Sequence, residues 1–163
     1  MHIELKAPLS DNDIKKLKVG DKVLIAGKIL VARDLAHQKM VKKSPLDLNG
    51  SIIYYASPTP TPPHYTIGSI GPTTATRMDA FTPALIRKGI KITIGKGKRD
   101  PKVMAGSVYL VVPGGAAALL SKSVVNSKVL AYAELGSEAL REIEVVGFPA
   151  IVAIDLKGRS IFK

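Results

Sequence analysis

The stretch KVLIAGKILVARDLAHQKMVKK, residues 22–43, decides the fold class, because a strand pattern changes to a helical pattern within it. Lys22 to Ala32 is rich in Val, Ile and Leu, as strands are, and Gly27 marks a bulge or a close approach of another backbone. From Arg33 to Lys43 the apolar residues return at helical spacing. The stretch therefore predicts a strand that leads directly into a helix.

This alternation continues along the chain with short connections, which predicts a layered α/β domain, a mixed sheet with flanking helices. Further strands are predicted over 2–6, 48–56, 90–94, 108–112, 128–133, 150–155 and 161–162, and further helices over 11–17, 74–88 and 115–120. Ser10 can cap the first of these helices, and Gly89 ends the second, which Pro83 should kink or divide. Residues 1–163 are predicted to form a single domain, since domains usually hold roughly 100–200 residues.

The composition excludes several kinds of site within this chain. It has no cysteine, which rules out disulfides, thiolate metal sites and cysteine nucleophiles. The histidines, His2, His37 and His64, are too scattered to resemble a zinc motif, so no metal ligand is predicted. The N-terminus lacks the apolar core of a signal peptide, and the apolar stretch from Val108 to Leu120 is interrupted by Pro113-Gly-Gly. A cytoplasmic protein without a membrane segment is expected.

The net charge of +11 has three interpretations. It can be a footprint for nucleic acid, it can attract small anions into a cleft, or it can face an acidic partner chain. Proteins that bind RNA commonly expose aromatic rings for base stacking, whereas aromatic residues make up only 5% of this chain. Nucleic acid is therefore the less favoured partner.

The segment Gly71-Pro-Thr-Thr-Ala-Thr-Arg-Met-Asp79 is the strongest local candidate for a site. It places hydroxyl groups where a helix is predicted to begin, and a helix N-terminus favours anions. If helical geometry already holds at Thr73, Arg77 lies on the same face and can grip a carboxylate. The same pattern also fits an ordinary helix cap followed by a solvated arginine.

Three weaker candidates complete the inventory. Arg33 and His37 lie at a junction of strand and helix, where α/β proteins often bind ligands, although a surface Arg-Asp pair with an exposed histidine is the commoner case. Lys96 stands between two glycines, which permits close approach but also fits a plain turn. The proline-rich loop 57–63 with His64 can shape a cleft. Together these groups suit a dicarboxylate, but they include no electrophile, so any metal centre must come from another chain.

Several motifs, in this order, resemble those of the β subunit, or C-terminal domain, of the iron–sulfur class I fumarases and the related L(+)-tartrate dehydratases. The motifs are Gly27-Lys-Ile-Leu-Val-Ala-Arg-Asp-Leu-Ala-His37, Ile52-Ile-Tyr-Tyr-Ala-Ser-Pro-Thr-Pro60, Gly68-Ser-Ile-Gly-Pro-Thr-Thr-Ala-Thr-Arg-Met-Asp79, Ile94-Gly-Lys-Gly97 and Phe148-Pro-Ala-Ile-Val-Ala-Ile-Asp155. The resemblance covers nearly the whole chain. Ser57 stands where the family often has glycine, and the tail after the final strand is shorter, but neither difference touches the proposed site.

The resemblance implies a swivelling β/β/α domain and a role for each candidate residue. Thr73 is the expected catalytic base for the carbon-bound proton. Arg77, Arg33 and Lys96 are the expected substrate ligands. Asp79 and His37 are expected to support these ligands without touching the substrate. Asp79 would orient Arg77, and His37 would steady the helix that begins at Arg33.

The function implied by the resemblance is the reversible hydration of fumarate to L-malate, as the β subunit of a hydro-lyase. The 4Fe-4S cluster would be carried by a partner α subunit, and an α2β2 assembly or a self-associated β pair is expected. Dehydration of L(+)-tartrate is the alternative within the family. A basic nucleic-acid-binding module, and a binding domain that has lost its lyase role, are alternatives of other classes.

Overall fold

The computed structural model describes residues 2–112 and 117–162, and within these ranges seven strands form one mixed sheet. The strands are β1 (Ile3–Lys6), β2 (Lys22–Val31), β3 (Ile52–Tyr54), β4 (Ile92–Gly95), β5 (Val108–Val111), β6 (Val124–Ala131) and β7 (Leu140–Ile154). Neighbouring strands from β1 to β5 are parallel, and β7 is antiparallel to β2, β5 and β6. The mixed sheet with helices confirms the predicted α/β character.

The sheet closes on itself, because β7 pairs with β2 as well as with β5. Strands β2, β3, β4, β5 and β7 therefore form a ring, with β1 beside β2 and β6 beside β7. Both faces of β3, β4 and β5 are largely buried, and successive apolar residues on the ring strands alternate between two hydrophobic cores. In β3, for example, Ile52 and Tyr54 belong to the first core and Ile53 to the second.

The second core lies between the sheet and the helices that carry most of the candidate residues. The helices are α1 (Asp11–Lys15), α2 (Asp34–Lys42), the 3-10 helix Ala75–Met78, α3 (Thr82–Arg87), the 3-10 helix Pro101–Met104, α4 (Ala117–Ser121) and the 3-10 segment Ala133–Glu138. Ser10 caps α1 as predicted, in a capping box with Asp13. Within the described ranges no helix is both long and apolar enough to cross a membrane.

The helix predicted over 74–88 is divided into two. A short 3-10 helix, Ala75–Met78, is followed by α3, and Pro83 stands in the first turn of α3, where its missing N–H costs no hydrogen bond. Gly89 ends α3 with a φ of +115°, as predicted. The division matters for the site, because it removes the long helix whose N-terminus was predicted at residue 74, next to Thr73.

The last third of the chain differs most from the prediction. β7 begins at Leu140, well before the predicted start at Ala150, and β6 begins before the predicted start at Lys128. Charged residues alternate with apolar ones in the early part of β7, so no continuous apolar run marked it. The strand predicted at 161–162 is absent from the described chain, which has a single bridge there between Ser160 and Ile154. The predicted break at 113–115 lies outside the described residues.

Gly27 confirms its predicted role as a bulge and a point of close approach. The pairing of β2 with β7 shifts register between Ile25 and Gly27, and Gly27 has a φ of +101°. A Cβ atom on it would lie 2.8 Å from the carbonyl oxygen of Ala7. Only glycine combines this backbone conformation with this contact.

Candidate functional site

The candidate residues gather at one edge of the sheet, the edge formed by the carboxyl ends of β2, β3 and β4. Arg33 follows β2 and is the N-cap residue of α2, and Lys96 follows β4 directly. Thr73 lies beside Tyr55, the residue after β3. Because these three strands are parallel neighbours, their carboxyl ends meet at the same edge, which is where open α/β sheets bind ligands.

Thr73 has an extended backbone, and backbone hydrogen bonds hold it to Tyr55 on one side and to Lys96 on the other. Its N–H donates to the carbonyl of Tyr55 at 2.7 Å, and its own carbonyl accepts from the N–H of Lys96 at 3.1 Å. Ala75 then donates to the carbonyl of Lys96 at 2.9 Å. The condition on which Thr73 and Arg77 would share a helical face, helical geometry at Thr73, is therefore not met: residues 73–75 continue the edge of the sheet, because hydrogen bonds to the residues after β3 and β4 replace those of a helix.

Gly95 allows this edge to pack closely. A Cβ atom there would lie 2.8 Å from the ring of Tyr55 and 3.0 Å from the carbonyl oxygen of Thr73. Thr73 is 9% exposed, and its hydroxyl bonds to none of the described residues. Lys96, by contrast, is exposed, and its ammonium group has no ion pair within the described chain. The edge thus offers an unbonded hydroxyl and an unpaired cation on residues joined through their backbones.

Arg77 lies on the short 3-10 helix and does not share a helical face with Thr73. It contacts Asp34: its Nε donates to Oδ2 at 3.3 Å, and its Nη2 lies 3.0 Å from Oδ1, off the direction of a hydrogen bond. The Nε of Arg33 lies 3.7 Å from the same Oδ1. Asp34, which sequence reasoning missed as a site residue, therefore joins the two arginines, and nothing in its sequence pattern distinguished it from a first-turn helix residue.

The Arg33–Asp34 junction also contains unsatisfied polar atoms. The Nε of Arg33 and the Oδ1 of Asp34 are both buried without a hydrogen-bond partner among the described residues. A buried donor without a partner costs free energy, on the order of 1–3 kcal/mol.

Asp79 is placed differently from the prediction. It does not contact Arg77, and its Oδ1 instead accepts from Arg99, at 3.0 Å from Nε and 2.6 Å from Nη2. Arg99 has a fully buried side chain and was not a candidate from sequence. Its only signal was its place just after the Gly95-Lys96-Gly97 turn, and arginines there are usually solvated.

His37 is buried and uncharged beneath the Arg33 junction. Its Nδ1 lies 2.7 Å from the carbonyl oxygen of Arg33, and its ring packs against Tyr55 and Phe81. Burial lowers the pKa of His37 to about 4, although the hydrogen bond to Arg33 and the charge of Asp34 act in the opposite direction. Because a carbonyl only accepts, Nδ1 carries the proton. This contact matches the support of the Arg33 junction that was expected of His37.

His64 and the proline loop belong to a different part of the surface. Residues 55–62 have no regular secondary structure, and His64 is exposed with a φ of +68°. His64 lines a cleft together with Thr59, Tyr65 and Lys122, and this cleft includes none of the four proposed site residues. The described residues also contain no group of three or more His, Asp or Glu side chains placed to hold a metal ion.

Comparison with known proteins places the chain among enzymes and enzyme subunits of one kind. Residues 1–163 match the family described as "Fumarase C-terminus". The "Putative L(+)-tartrate dehydratase subunit beta" of Methanocaldococcus jannaschii is 43% identical over 95% of this chain and 88% of that protein. "Fumarate hydratase 2" of Leishmania major is 39% identical over 98% of this chain, and "Fumarate hydratase class I, anaerobic" of Escherichia coli is 36% identical over 99% of it. The chain spans only 31% and 32% of the length of these two hydratases.

Proposed function

This chain belongs to the family of fumarase C-terminal domains, and from that premise we propose that it is the β subunit of an iron–sulfur hydro-lyase that hydrates fumarate reversibly to L-malate. Dehydration of L(+)-tartrate is the alternative, since a relative of similar length carries that name. The two reactions both add or remove water at a four-carbon dicarboxylate. The swivelling β/β/α arrangement of the family remains part of this proposal.

The observation that carries the proposal is the gathering of Arg33, Arg77, Lys96 and Thr73 at one edge of the sheet. Arg33 and Arg77 share one carboxylate, Asp34, and Lys96 has no ion pair within the described chain, so the edge stays positive overall and attracts a dianion. The side chain of Arg33 is 25% exposed, so its guanidinium group can donate to a substrate carboxylate. The net charge of +11 then serves to draw dicarboxylates toward the site.

Each residue takes a role that its position permits. Arg77 and Arg33 bind substrate carboxylates through their planar guanidinium groups, and Lys96 provides a further positive charge. In the direction of dehydration, Thr73 accepts the proton that leaves carbon. The hydroxyl of Thr73 bonds to none of the described residues, so it is available for this role, and its backbone bond to Lys96 holds it at the positively charged edge.

The donor groups of this chain do not fit an iron–sulfur cluster, because the sequence contains no cysteine. The cluster, and the electrophile that accepts the departing hydroxide, therefore belong in this proposal to an α subunit. The relatives named as β subunits support such a partner. An α2β2 assembly, or a self-associated pair of β chains, is the proposed stoichiometry.

The test is anaerobic reconstitution with an α subunit that carries the cluster, assayed with fumarate, malate and tartrate side by side. Thr73→Ala should lower kcat by roughly 10²–10⁴-fold, as loss of a general base does. Arg77→Ala should lower kcat/KM to a similar degree, whereas the control Arg87→Ala should retain full activity, since Arg87 is exposed on α3. Full activity of the Arg77→Ala enzyme would contradict the proposed site.

The nucleic-acid alternative finds less support in the arrangement of the aromatic residues. Tyr54, Tyr55, Tyr109 and Phe148 are fully buried, so they offer no surface for base stacking. A gel shift with the isolated chain at two salt concentrations decides the point, because binding through phosphates weakens steeply with salt. Tight, salt-sensitive binding together with an inactive reconstituted enzyme would favour the alternative over the hydro-lyase.

A further inference from the structure

Arg99 is a buried cation placed directly behind the candidate site. The residue is 2% exposed, and its guanidinium forms a two-pronged contact with Oδ1 of Asp79. Burial by itself lowers the pKa of Arg99, but Tyr55 and Asp79 raise it above its ordinary value, so the group stays charged. A charge in this position requires several partners to offset its lost hydration.

The two terminal nitrogens of Arg99 also donate to hydroxyl groups on three different parts of the fold. Nη1 donates to the Tyr55 hydroxyl at 3.1 Å and to Oγ1 of Thr93 at 3.2 Å. Nη2 donates to Oγ1 of Thr82, on α3, at 3.1 Å. The guanidinium also lies over the rings of Tyr55 and Tyr109, at 5.5 and 5.0 Å from their centroids. One side chain thus joins β4, β5, α3 and the residue after β3.

Three of these partners, Asp79, Tyr55 and Tyr109, lie next to a proposed site residue or contact its segment directly. Asp79 is the C-cap residue of the 3-10 helix that carries Arg77. Tyr55 accepts the backbone hydrogen bond of Thr73 and packs against Gly95, while Tyr109 donates to the carbonyl of Gly97, on the other side of Lys96. Arg99 therefore holds both ends of the segment that presents Thr73 and Arg77.

We propose that Arg99 is a positioning residue that fixes the segment 73–79 against the carboxyl ends of β3 and β4. The proposal rests on the proposed function. The physical basis of this role is the direction of the hydrogen bonds. An apolar side chain of similar volume would fill the same space, but only the planar guanidinium group fixes the angles between these elements. A displacement of about 1 Å at a reacting group can cost roughly 10²-fold in rate. Holding the segment 73–79 in place therefore contributes to the rate of the reaction.

The test compares Arg99→Lys and Asp79→Asn with the matched control Arg159→Lys. The lysine keeps the charge of Arg99 but loses the fork, and Asp79 is partly exposed, so the asparagine variant folds even if the lysine variant does not. Arg159 pairs with the buried Asp155 at 2.8 Å. Asp155 follows β7, which is antiparallel to β5, so the control alters a single Arg–Asp side-chain hydrogen bond at the opposite edge of the sheet.

The first measurement is amide hydrogen exchange on the full chain. In both variants the N–H groups of Ala75 and Lys96, which bond across the edge, should exchange at least 10-fold faster, while exchange in the β2–β7 pairing stays at the wild-type rate. In Arg159→Lys the two amides should be unaffected. Unchanged exchange at Ala75 and Lys96, or an equal acceleration throughout the sheet, would overturn the positioning role.

The second measurement is activity of the reconstituted enzyme. Arg99→Lys and Asp79→Asn should lower kcat/KM by about 10²-fold, with the loss visible in kcat, and Arg159→Lys should match the wild type. Variants with kcat/KM within twofold of the control would refute the proposal even if exchange is altered. If the wild-type enzyme itself shows no hydro-lyase activity, the proposed function fails, and hydrogen exchange alone then decides whether Arg99 fastens the segment.

Discussion

Replacing His37 with asparagine should remove a large part of the pH dependence of folding stability. The ring is neutral in the folded chain, and Nδ1 donates to the carbonyl of Arg33. Asparagine carries an amide N–H near the position of Nδ1, so it can keep that hydrogen bond, but it does not titrate. The comparison therefore isolates protonation of the ring from the loss of a contact.

The size of the effect follows from the two pKa values of His37, 6.5 as the ordinary value and about 4 in the folded chain. Because the pKa is lower in the folded chain, the unfolded chain binds a proton at pH values between about 4 and 6.5 at which the folded chain does not. The resulting stability is fully present above pH 6.5 and is lost as the pH falls toward 4. Between pH 8 and pH 5 the wild type should lose roughly 2 kcal/mol more free energy of unfolding than His37→Asn.

The assay is urea denaturation of the full chain at pH 8 and pH 5. His64→Asn is the matched control, because His64 is exposed and has a positive φ that asparagine tolerates. This control should follow the wild type at both pH values. If the wild type and His37→Asn lose the same stability, the ring is already charged in the folded chain and the reasoning is refuted.

Three further substitutions test packing and helix capping elsewhere in the fold. Tyr54→Phe leaves the carbonyl of Ile70 without the hydroxyl that bonds it, and should cost about 1–3 kcal/mol in urea denaturation. Gly68→Ala would place a Cβ 2.1 Å from the carbonyl oxygen of Thr59, and should lower the melting temperature through an overpacking cost of about 1–3 kcal/mol or more. Ser10→Ala removes the cap of α1 and should cost about 1 kcal/mol without changing the activity of the reconstituted enzyme.

The sequence predicted the α/β character and the strands that form the parallel half of the sheet, because strands buried on both faces read as continuous apolar runs. It did not predict ring closure. The pairing that closes the ring joins residues such as Val23 and Ala150, and local periodicity contains no information about partners so far apart. The early part of β7 was missed because Arg141, Glu142 and Glu144 interrupt the apolar run.

The predicted residues of the site gather at one edge of the sheet, but the helical relation expected between Thr73 and Arg77 is absent. Thr73 and Arg77 were paired through an assumed helix, whereas Thr73 is extended and Arg77 lies on a separate 3-10 helix. Asp34 and Arg99 were missed because their importance depends on partners 43 and 20 residues away in the chain. A buried arginine in particular cannot be distinguished from a solvated one by its neighbours in sequence.

The closed ring has a consequence for how the protein is made. β2 is synthesised early, but its partner β7 is the last of the described strands to leave the ribosome. Until then β2 to β5 form an open sheet with two apolar faces and an unpaired border, a state that is prone to join with other chains. Contacts across such long sequence distances also slow folding. The nascent chain should therefore depend on chaperones for most of its synthesis, and shortening it before Leu140 should yield aggregates rather than a smaller domain.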